Sequence, residues 1–190
     1  MKNVLVVVDM QNDFVSGSLG TKEAQAIETA VVEKIMNFDG AIYATLDTHG
    51  EDYLETQEGK RLPVKHCIAG TTGWAPTAAV GMALASKLDK GGKKPSESDE
   101  LMMEDCFVMK DIFGSVDLPY RILDEVGDEL GDITLIGLCT DICVISNALM
   151  LKSFFPETRI IVDSACCAGV TPESHENALN AMRVCQIDVI

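Results

Sequence analysis

Gly137-Leu-Cys-Thr-Asp-Ile-Cys143-Val144 follows the apolar run Asp132-Ile-Thr-Leu-Ile136 and precedes Ile145-Ser-Asn-Ala-Leu-Met-Leu-Lys152, whose apolar residues recur at helical spacing. The pattern reads as a buried strand, a short polar turn and a helix that starts at once. Cys143 then falls in the first turn of that helix. Backbone N–H groups without intrahelical partners, together with the positive end of the helix dipole, favour thiolate over thiol there. A cysteine so placed is a candidate nucleophile. The plainer alternative is a small buried hydrophobe, the commonest state of a cysteine.

The same strand-then-helix unit recurs along the chain. Strand-like runs lie at Val4–Asp9, Ala41–Leu46, Cys106–Lys110, Ile133–Ile136, Arg159–Val162 and Gln186–Ile190. Between them, Lys22–Phe38 carries a stripe of Ala26, Ile27, Ala30, Val31, Lys34 and Ile35, and Leu118–Leu130 places Ile122, Leu123, Val126 and Leu130 at similar spacing. Ile142–Phe154 and Glu173–Val184 complete the helices, the last introduced by Thr171-Pro172, a common helix start. Apolar strands alternating with helices predict a three-layer α/β/α, doubly wound fold with a mostly parallel six-stranded sheet covered on both faces. The ligand crevice of such a sheet lies beyond the carboxyl ends of its strands.

One domain over residues 1–190 is expected, because that length supports a sizeable core. The long region at about 47–104 breaks the strand–helix rhythm; it holds a small-residue helix near Thr77–Leu88 and a polar turn, Asp89-Lys-Gly-Gly-Lys-Lys-Pro95. A connection of this length is usually functional. A formal net charge of −15 argues against nucleic acid and anionic membranes as partners. No apolar run approaches a membrane span, and Val4-Leu-Val-Val-Val8 reads as a first strand rather than as a signal peptide. Seven cysteines, an odd number without regular spacing or any C-x-x-C pair, point to a reducing, cytoplasmic setting.

Three predicted strands end at ionisable or nucleophilic positions: the first at Asp9, the third at Lys110, and the fourth in the turn before Cys143. A parallel sheet brings all three to one crevice, where an acid, a base and a thiol suit nucleophilic acyl transfer. Singly, Asp9 could cap a turn and Lys110 could be a solvated strand end. In Asp47-Thr-His49, alternate residues of an extended segment face the same way and, with His66, suit zinc, iron, manganese or cobalt. A surface-loop histidine is the plainer reading, and His175 reads as a cap or surface residue. Cys106 and Cys185 read as core; the Cys166-Cys167 pair reads as structural, beyond the fifth strand. The first turn, Met10-Gln-Asn-Asp-Phe14, lacks the glycines of a dinucleotide site, and neither a phosphate-binding P-loop nor a G-x-S-x-G elbow occurs.

Taken together, Val7-Val-Asp9-Met-Gln-Asn-Asp-Phe14, Lys110-Asp-Ile-Phe-Gly-Ser115 and Gly137-Leu-Cys-Thr-Asp-Ile-Cys143-Val144 resemble, in that order, the isochorismatase-like cysteine hydrolases. Asp47-Thr-His49 and Leu62-Pro-Val-Lys-His66-Cys-Ile-Ala-Gly-Thr71 resemble the metal-binding region of the nicotinamidases within that superfamily. The resemblance extends from the first strand to about Asp163. Thr48 stands where many members have tryptophan, and Cys139 where alanine is usual.

The resemblance implies hydrolysis of nicotinamide to nicotinate and ammonia through a cysteine thioester, a reaction of NAD salvage. Cys143 would be the nucleophile, Asp9 the proton acceptor and donor, and Lys110 the electrostatic partner. The backbone N–H groups of Cys139 and Cys143 would form the oxyanion hole, with a cis peptide before Cys139. One divalent metal, zinc with iron or manganese as alternatives, would be held by Asp47, His49, His66 and a loop glutamate, Glu58, with Glu51 and Glu55 as rivals. Phe14, Trp74 and Phe113 would line the substrate site. The partners implied are a small-molecule amide and further copies of the chain in a homo-oligomer. Another amidase of the superfamily, acting on a carbamoyl or non-pyridine amide, is the nearest alternative. A non-catalytic flavodoxin-like binding module is the remoter one.

Overall fold

In the computed structural model, which describes residues 1–88 and 106–190, six strands form a single sheet. They are β1 (Lys2–Val8), β2 (Ala41–Asp47), β3 (Phe107–Lys110), β4 (Leu130–Leu138), β5 (Ile160–Ala168) and β6 (Asp188–Val189). Every pairing is parallel and the order is β3-β2-β1-β4-β5-β6. The chain winds outward in both directions from β1, so the order reverses between β1 and β4, and a doubly wound sheet opens its ligand crevice at that place.

The pleat explains how β1 serves two cores. Val4, Val6 and Val8 point to one face, where they pack with Leu135, Val144, Leu151 and Met182. Leu5 and Val7 point to the other, against Val31, Ile35, Val80 and Leu84. Helices α1 (Asn12–Val15), α2 (Lys22–Asn37), α3 (Gln57–Arg61) and α4 (Ala78–Leu88) precede β3, and α5 (Asp117–Val126), α6 (Ile145–Phe154) and α7 (Pro172–Val184) follow it. Helices α2 and α4 cover the second face; α5, α6 and α7 cover the first. A strand buried on both sides gains apolar contact at every residue, which is why β1 reads as a continuous aliphatic run.

The elements differ from expectation mainly at their ends. The stripe expected through Leu130 stops at Val126, where Gly127 takes φ 55° and the chain turns into β4. On α2 the buried residues are Ala24, Val31 and Ile35, with Ala26 exposed. Cys166 and Cys167 lie inside β5 rather than beyond it, one on each face. Cys106 is buried as expected, but Cys185 is exposed beyond the end of α7. The expected turn at Asp89–Pro95 lies outside the described residues.

Candidate active site

Strand register gathers the chemistry. Val8 is level with Thr45 of β2 and with Gly137 of β4, and Asp47 of β2 is level with Lys110 of β3. Asp9, Asp47, Lys110 and the turn after Leu138 therefore emerge side by side at the carboxyl edge. Gly137 takes φ 113°, and a Cβ there would stand 2.1 Å from the Val8 carbonyl oxygen, so the strand ends meet this closely only through glycine.

The three residues from distant strands do converge. Lys110 Nζ lies 2.7 Å from Asp9 Oδ2, 3.1 Å from Asp47 Oδ1 and 3.7 Å from Cys143 Sγ. All four residues are buried. Asp9 sits in left-handed backbone, φ 47°, and its Oδ1 accepts a 2.6 Å hydrogen bond from the Thr45 hydroxyl, which fixes its direction. Burial raises the Asp9 carboxyl, Lys110 opposes this, and the net shift is upward. For Lys110, burial would favour loss of the proton, but the charges of Asp9 first and of Asp47 outweigh it and hold the ammonium.

The thiol departs from expectation. The segment after β4 opens as a π turn over Thr140–Val144 before α6 begins. Burial drives the Cys143 thiol well above its ordinary range, and the facing Asp9 carboxylate drives it further, against a smaller opposing pull from Lys110. Desolvation disfavours the charged form, so the helix-end field invoked for a thiolate is overridden. Burial and Asp9 therefore favour the neutral thiol, and the Lys110 ammonium lies 3.7 Å from its sulfur. The Cys139 carbonyl accepts from the amides of Ile142 and Val144 and skips that of Cys143. The peptide between Leu138 and Cys139 is cis, as the resemblance implied.

Beside this trio stands a second cluster. Ligand atoms of Asp47, His49 and His66 all lie within 4.8 Å of one another, and all three residues are buried. Asp47 Oδ2 is 3.0 Å from His49 Nε2 and 3.5 Å from His66 Nε2. Glu58 Oε1, from the short helix α3, is 3.9 Å from His49 Nε2 and 3.8 Å from His66 Nε2. Of its rivals, Glu51 pairs with Lys65 at the surface and Glu55 is exposed. His66 Nδ1 donates to the Val64 carbonyl at 2.8 Å, which leaves Nε2 to face the cluster. His49 Nε2 is buried without a directed hydrogen bond. Burial alone would raise Asp47; contacts from His49, His66 and Lys110 hold it well below the usual carboxylate range. An orphaned imidazole nitrogen amid convergent carboxylates fits a divalent cation.

Two supports were missed in the sequence. Tyr53 is wholly buried, its ring 4.7 Å from that of His49 and 4.9 Å from that of His66, and its hydroxyl donates to the Leu62 carbonyl. It is the one Phe, Trp or Tyr between Asp47 and His66, a signal that was available. Gln11 clasps the Asp47 backbone, donating to its carbonyl and accepting from its amide, both at 2.8 Å. A glutamine inside the polar run that follows a buried strand gave only a faint hint of this.

A cavity of about 230 Å³ adjoins both clusters, lined by Phe14, Phe113, Cys139, Cys143, Asp47, Glu58 and His66, with Leu62, Ile142 and Val170 among its apolar walls. Trp74 is not part of this lining. Its indole N–H donates to Thr48 at 2.8 Å instead, and its carbonyl accepts from Gln11. A broader depression of about 500 Å³ runs along Thr48 and residues 109–117, but neither Asp9 nor Cys143 lines it. The smaller cavity is the one that Cys143 lines.

Comparison with known proteins agrees with this geometry. Residues 97–190 match the isochorismatase domain. A nicotinamidase of Schizosaccharomyces pombe is 28% identical over 213 aligned residues, covering 98% of this chain and 91% of that protein. The crystal structure of a pyrazinamidase/nicotinamidase from Streptococcus mutans superposes with a TM-score of 0.77 at 26% identity, covering 99% of both chains. The pyrazinamidase of Pyrococcus horikoshii, solved in complex with zinc, superposes at 0.75 with 24% identity, over 100% of this chain and 99% of that one. With its 3-2-1-4-5-6 parallel sheet, a cysteine, a lysine and an aspartate meeting at the carboxyl edge, and the domain match over residues 97–190, the chain is similar along its length to the isochorismatase-like superfamily of cysteine hydrolases.

Proposed function

We propose that the protein is a metal-dependent amidohydrolase that converts nicotinamide to nicotinate and ammonia. The observation that carries this reading is the shared position of Lys110, which touches Asp9, Cys143 and the Asp47 of the histidine cluster at once. The relatives that align over nearly the whole chain and carry nicotinamidase names support the choice of amide. The cavity suits a single-ring carboxamide held between Phe14 and Phe113.

In this reading Asp9 removes the proton of the neutral Cys143 thiol as Sγ attacks the amide carbon, and Lys110 holds the negative charge that passes between them. A base is required because the buried thiol does not ionise unaided. The backbone N–H groups of Cys139 and Cys143 receive the tetrahedral oxyanion, each worth about 3 kcal/mol in comparable sites. Asp9 then returns its proton to the departing nitrogen, ammonia leaves, and a thioester joins the acyl group to Sγ. Water, deprotonated by Asp9, attacks the thioester, releases the carboxylic acid and restores the thiol.

Asp47, His49, His66 and Glu58 would hold one divalent ion. Zinc best suits two imidazoles and carboxylates, with iron or manganese as alternatives. When bound, it supplies a Lewis acid that accepts a lone pair from a substrate heteroatom. A homo-oligomer is part of the same reading, supported by exposed Met109, Val116, Tyr120 and Leu123 on edge strand β3 and around α5. A cytoplasmic setting is supported by the unpaired thiols of Cys67, Cys139, Cys143, Cys166 and Cys167. No helix among the described residues is long and apolar enough to cross a membrane.

Ammonia release from nicotinamide by the metal-replete protein tests the proposal. Cys143→Ala is expected to abolish turnover while leaving the circular-dichroism spectrum and metal content unchanged. Near-normal hydrolysis by that variant, or hydrolysis of other carboxamides with none of nicotinamide, would overturn the mechanism or the substrate respectively.

A further inference from the structure

The π turn that carries Cys143 is held from outside by a residue the reaction does not touch. Thr140, its first residue, is completely buried, and its hydroxyl shares a 2.8 Å hydrogen bond with His175 Nδ1. His175 lies in the first turn of α7, whose start is fixed by reciprocal hydrogen bonds between Thr171 and Ser174. The loop between β5 and α7 presses in beside it. A Cβ on Gly169 would stand 2.9 Å from the His175 backbone nitrogen, and the Val170 amide donates to Asp141 Oδ1 at 3.1 Å. Loop and helix thus grip Thr140 and Asp141, the two residues that open the turn.

The grip bears on the geometry of attack. In the π turn the Ile145 amide reaches back to the Thr140 carbonyl, one residue further than an α turn allows. Single π turns are rare and are found frequently at functional sites. Here the wider turn lets the Cys139 carbonyl take the amides on either side of Cys143 and leave that of Cys143 itself. We infer that His175 is a positioning residue: through Thr140 it keeps the nucleophile turn open, so that the Cys143 amide and sulfur both face the cavity. His175 does not line that cavity, so it acts on turnover only through the turn. The inference rests on the hydrolase reading, since it is turnover that the brace would protect.

The test compares metal-replete wild type with His175→Ala, His175→Asn, Thr140→Val and the double variant His175→Ala/Thr140→Val. Asparagine can place a side-chain amide near the position of Nδ1. Misplacement of reacting groups by about 1 Å can cost on the order of a hundredfold in rate. His175→Ala is therefore expected to lower kcat by about ten- to a hundredfold with KM within about threefold and unchanged metal content. His175→Asn should recover most of the loss, and the double variant should be no slower than the slower single one, because both remove one hydrogen bond.

A kcat within about twofold of wild type in His175→Ala would overturn the inference, as would additive losses in the double variant or no recovery with asparagine. If the wild type cleaves no carboxamide, the hydrolase reading fails separately. The brace is then read from the rate at which iodoacetamide alkylates Cys143. That rate should change at least about fivefold in His175→Ala and return with asparagine; an unchanged rate would overturn the brace.

Discussion

Replacing Lys110 with methionine keeps an unbranched side chain of similar length and removes the charge that Asp9 and Asp47 share. At 2.7 and 3.1 Å the gross attractions are on the order of 6 and 5 kcal/mol for an effective dielectric of about 20, before the cost of desolvation is counted. Most of that gross attraction is offset by burying the ions, but removing one partner of a buried pair typically costs about 3–5 kcal/mol, because an uncompensated charge is left behind. Lys110→Met leaves two carboxylates facing each other, so its cost at neutral pH belongs at the upper end of that range. Lys110 lowers the Asp9 pKa in the wild type; without it, the folded-state value rises further above the unfolded value of about 3.9.

The sign follows from linkage. A carboxyl whose folded pKa exceeds its unfolded pKa binds a proton more readily in the native state. Native stability is then lost as pH climbs from the unfolded value through the folded one, at up to about 1.4 kcal/mol per pH unit. Urea unfolding of wild type and Lys110→Met, with chelator present and from pH 4.5 to 8, measures the difference. The deficit of the variant should be smallest at the acid end and widen toward neutrality, while turnover at pH 7.5 is lost. A deficit below about 1 kcal/mol at pH 7.5, or one that does not change with pH, would refute the view that Lys110 neutralises two buried acids.

Because burial and Asp9 raise the Cys143 thiol, its alkylation by iodoacetamide should be slow at pH 7 and climb about tenfold per pH unit to beyond pH 9; a plateau reached below pH 7 would show a stabilised thiolate instead. Tyr53→Phe loses the hydrogen bond to Leu62 and should cost about 1 kcal/mol in urea unfolding. Tyr53→Ala should cost about 3–5 kcal/mol. By freeing both histidine rings it should also weaken zinc binding about ten- to a hundredfold in a chelator competition, and unchanged zinc affinity would leave the ring with a packing role alone.

The sheet was legible because β1 and β4 are buried on both faces, which forces long aliphatic runs, and because the helices between strands carry their own period. The edges were less so. Strand β5 extends through Ala168, past polar Asp163 and Ser164, because one side chain of the Cys166-Cys167 pair enters each core; a hydrophobic run alone could not show that. Asp9, Lys110 and Cys143 were legible as strand-end residues in a parallel fold. The state of the thiol was not, since helix position is a local property and desolvation is a tertiary one. Trp74 was misplaced for a related reason: an aromatic near a site is read as lining it, whereas an indole N–H also needs an acceptor when buried, and Thr48 supplies one. His175 looked like a cap because its partner, Thr140, is 35 residues away.

These particulars bear on why the site lies where it does. In an all-parallel sheet every strand delivers its last residue to the same edge, so four neighbouring strands, β3, β2, β1 and β4, can each contribute one group without any loop having to reach across the molecule. Lys110, Asp47 and Asp9 stand at three adjacent strand ends, where register sets Lys110 level with Asp47 and the Thr45 hydroxyl turns Asp9 toward them. On the proposed mechanism the fourth strand end would carry the nucleophile on something other than a strand, because the attacking sulfur and the N–H groups that receive the oxyanion would have to face one point. A turn whose Cys139 carbonyl passes over the Cys143 amide would meet that demand only while it is prevented from tightening into an ordinary helix. The chain therefore divides its labour: the sheet places the charges, and the contacts of α7 and the loop before it keep the turn wide enough to use them.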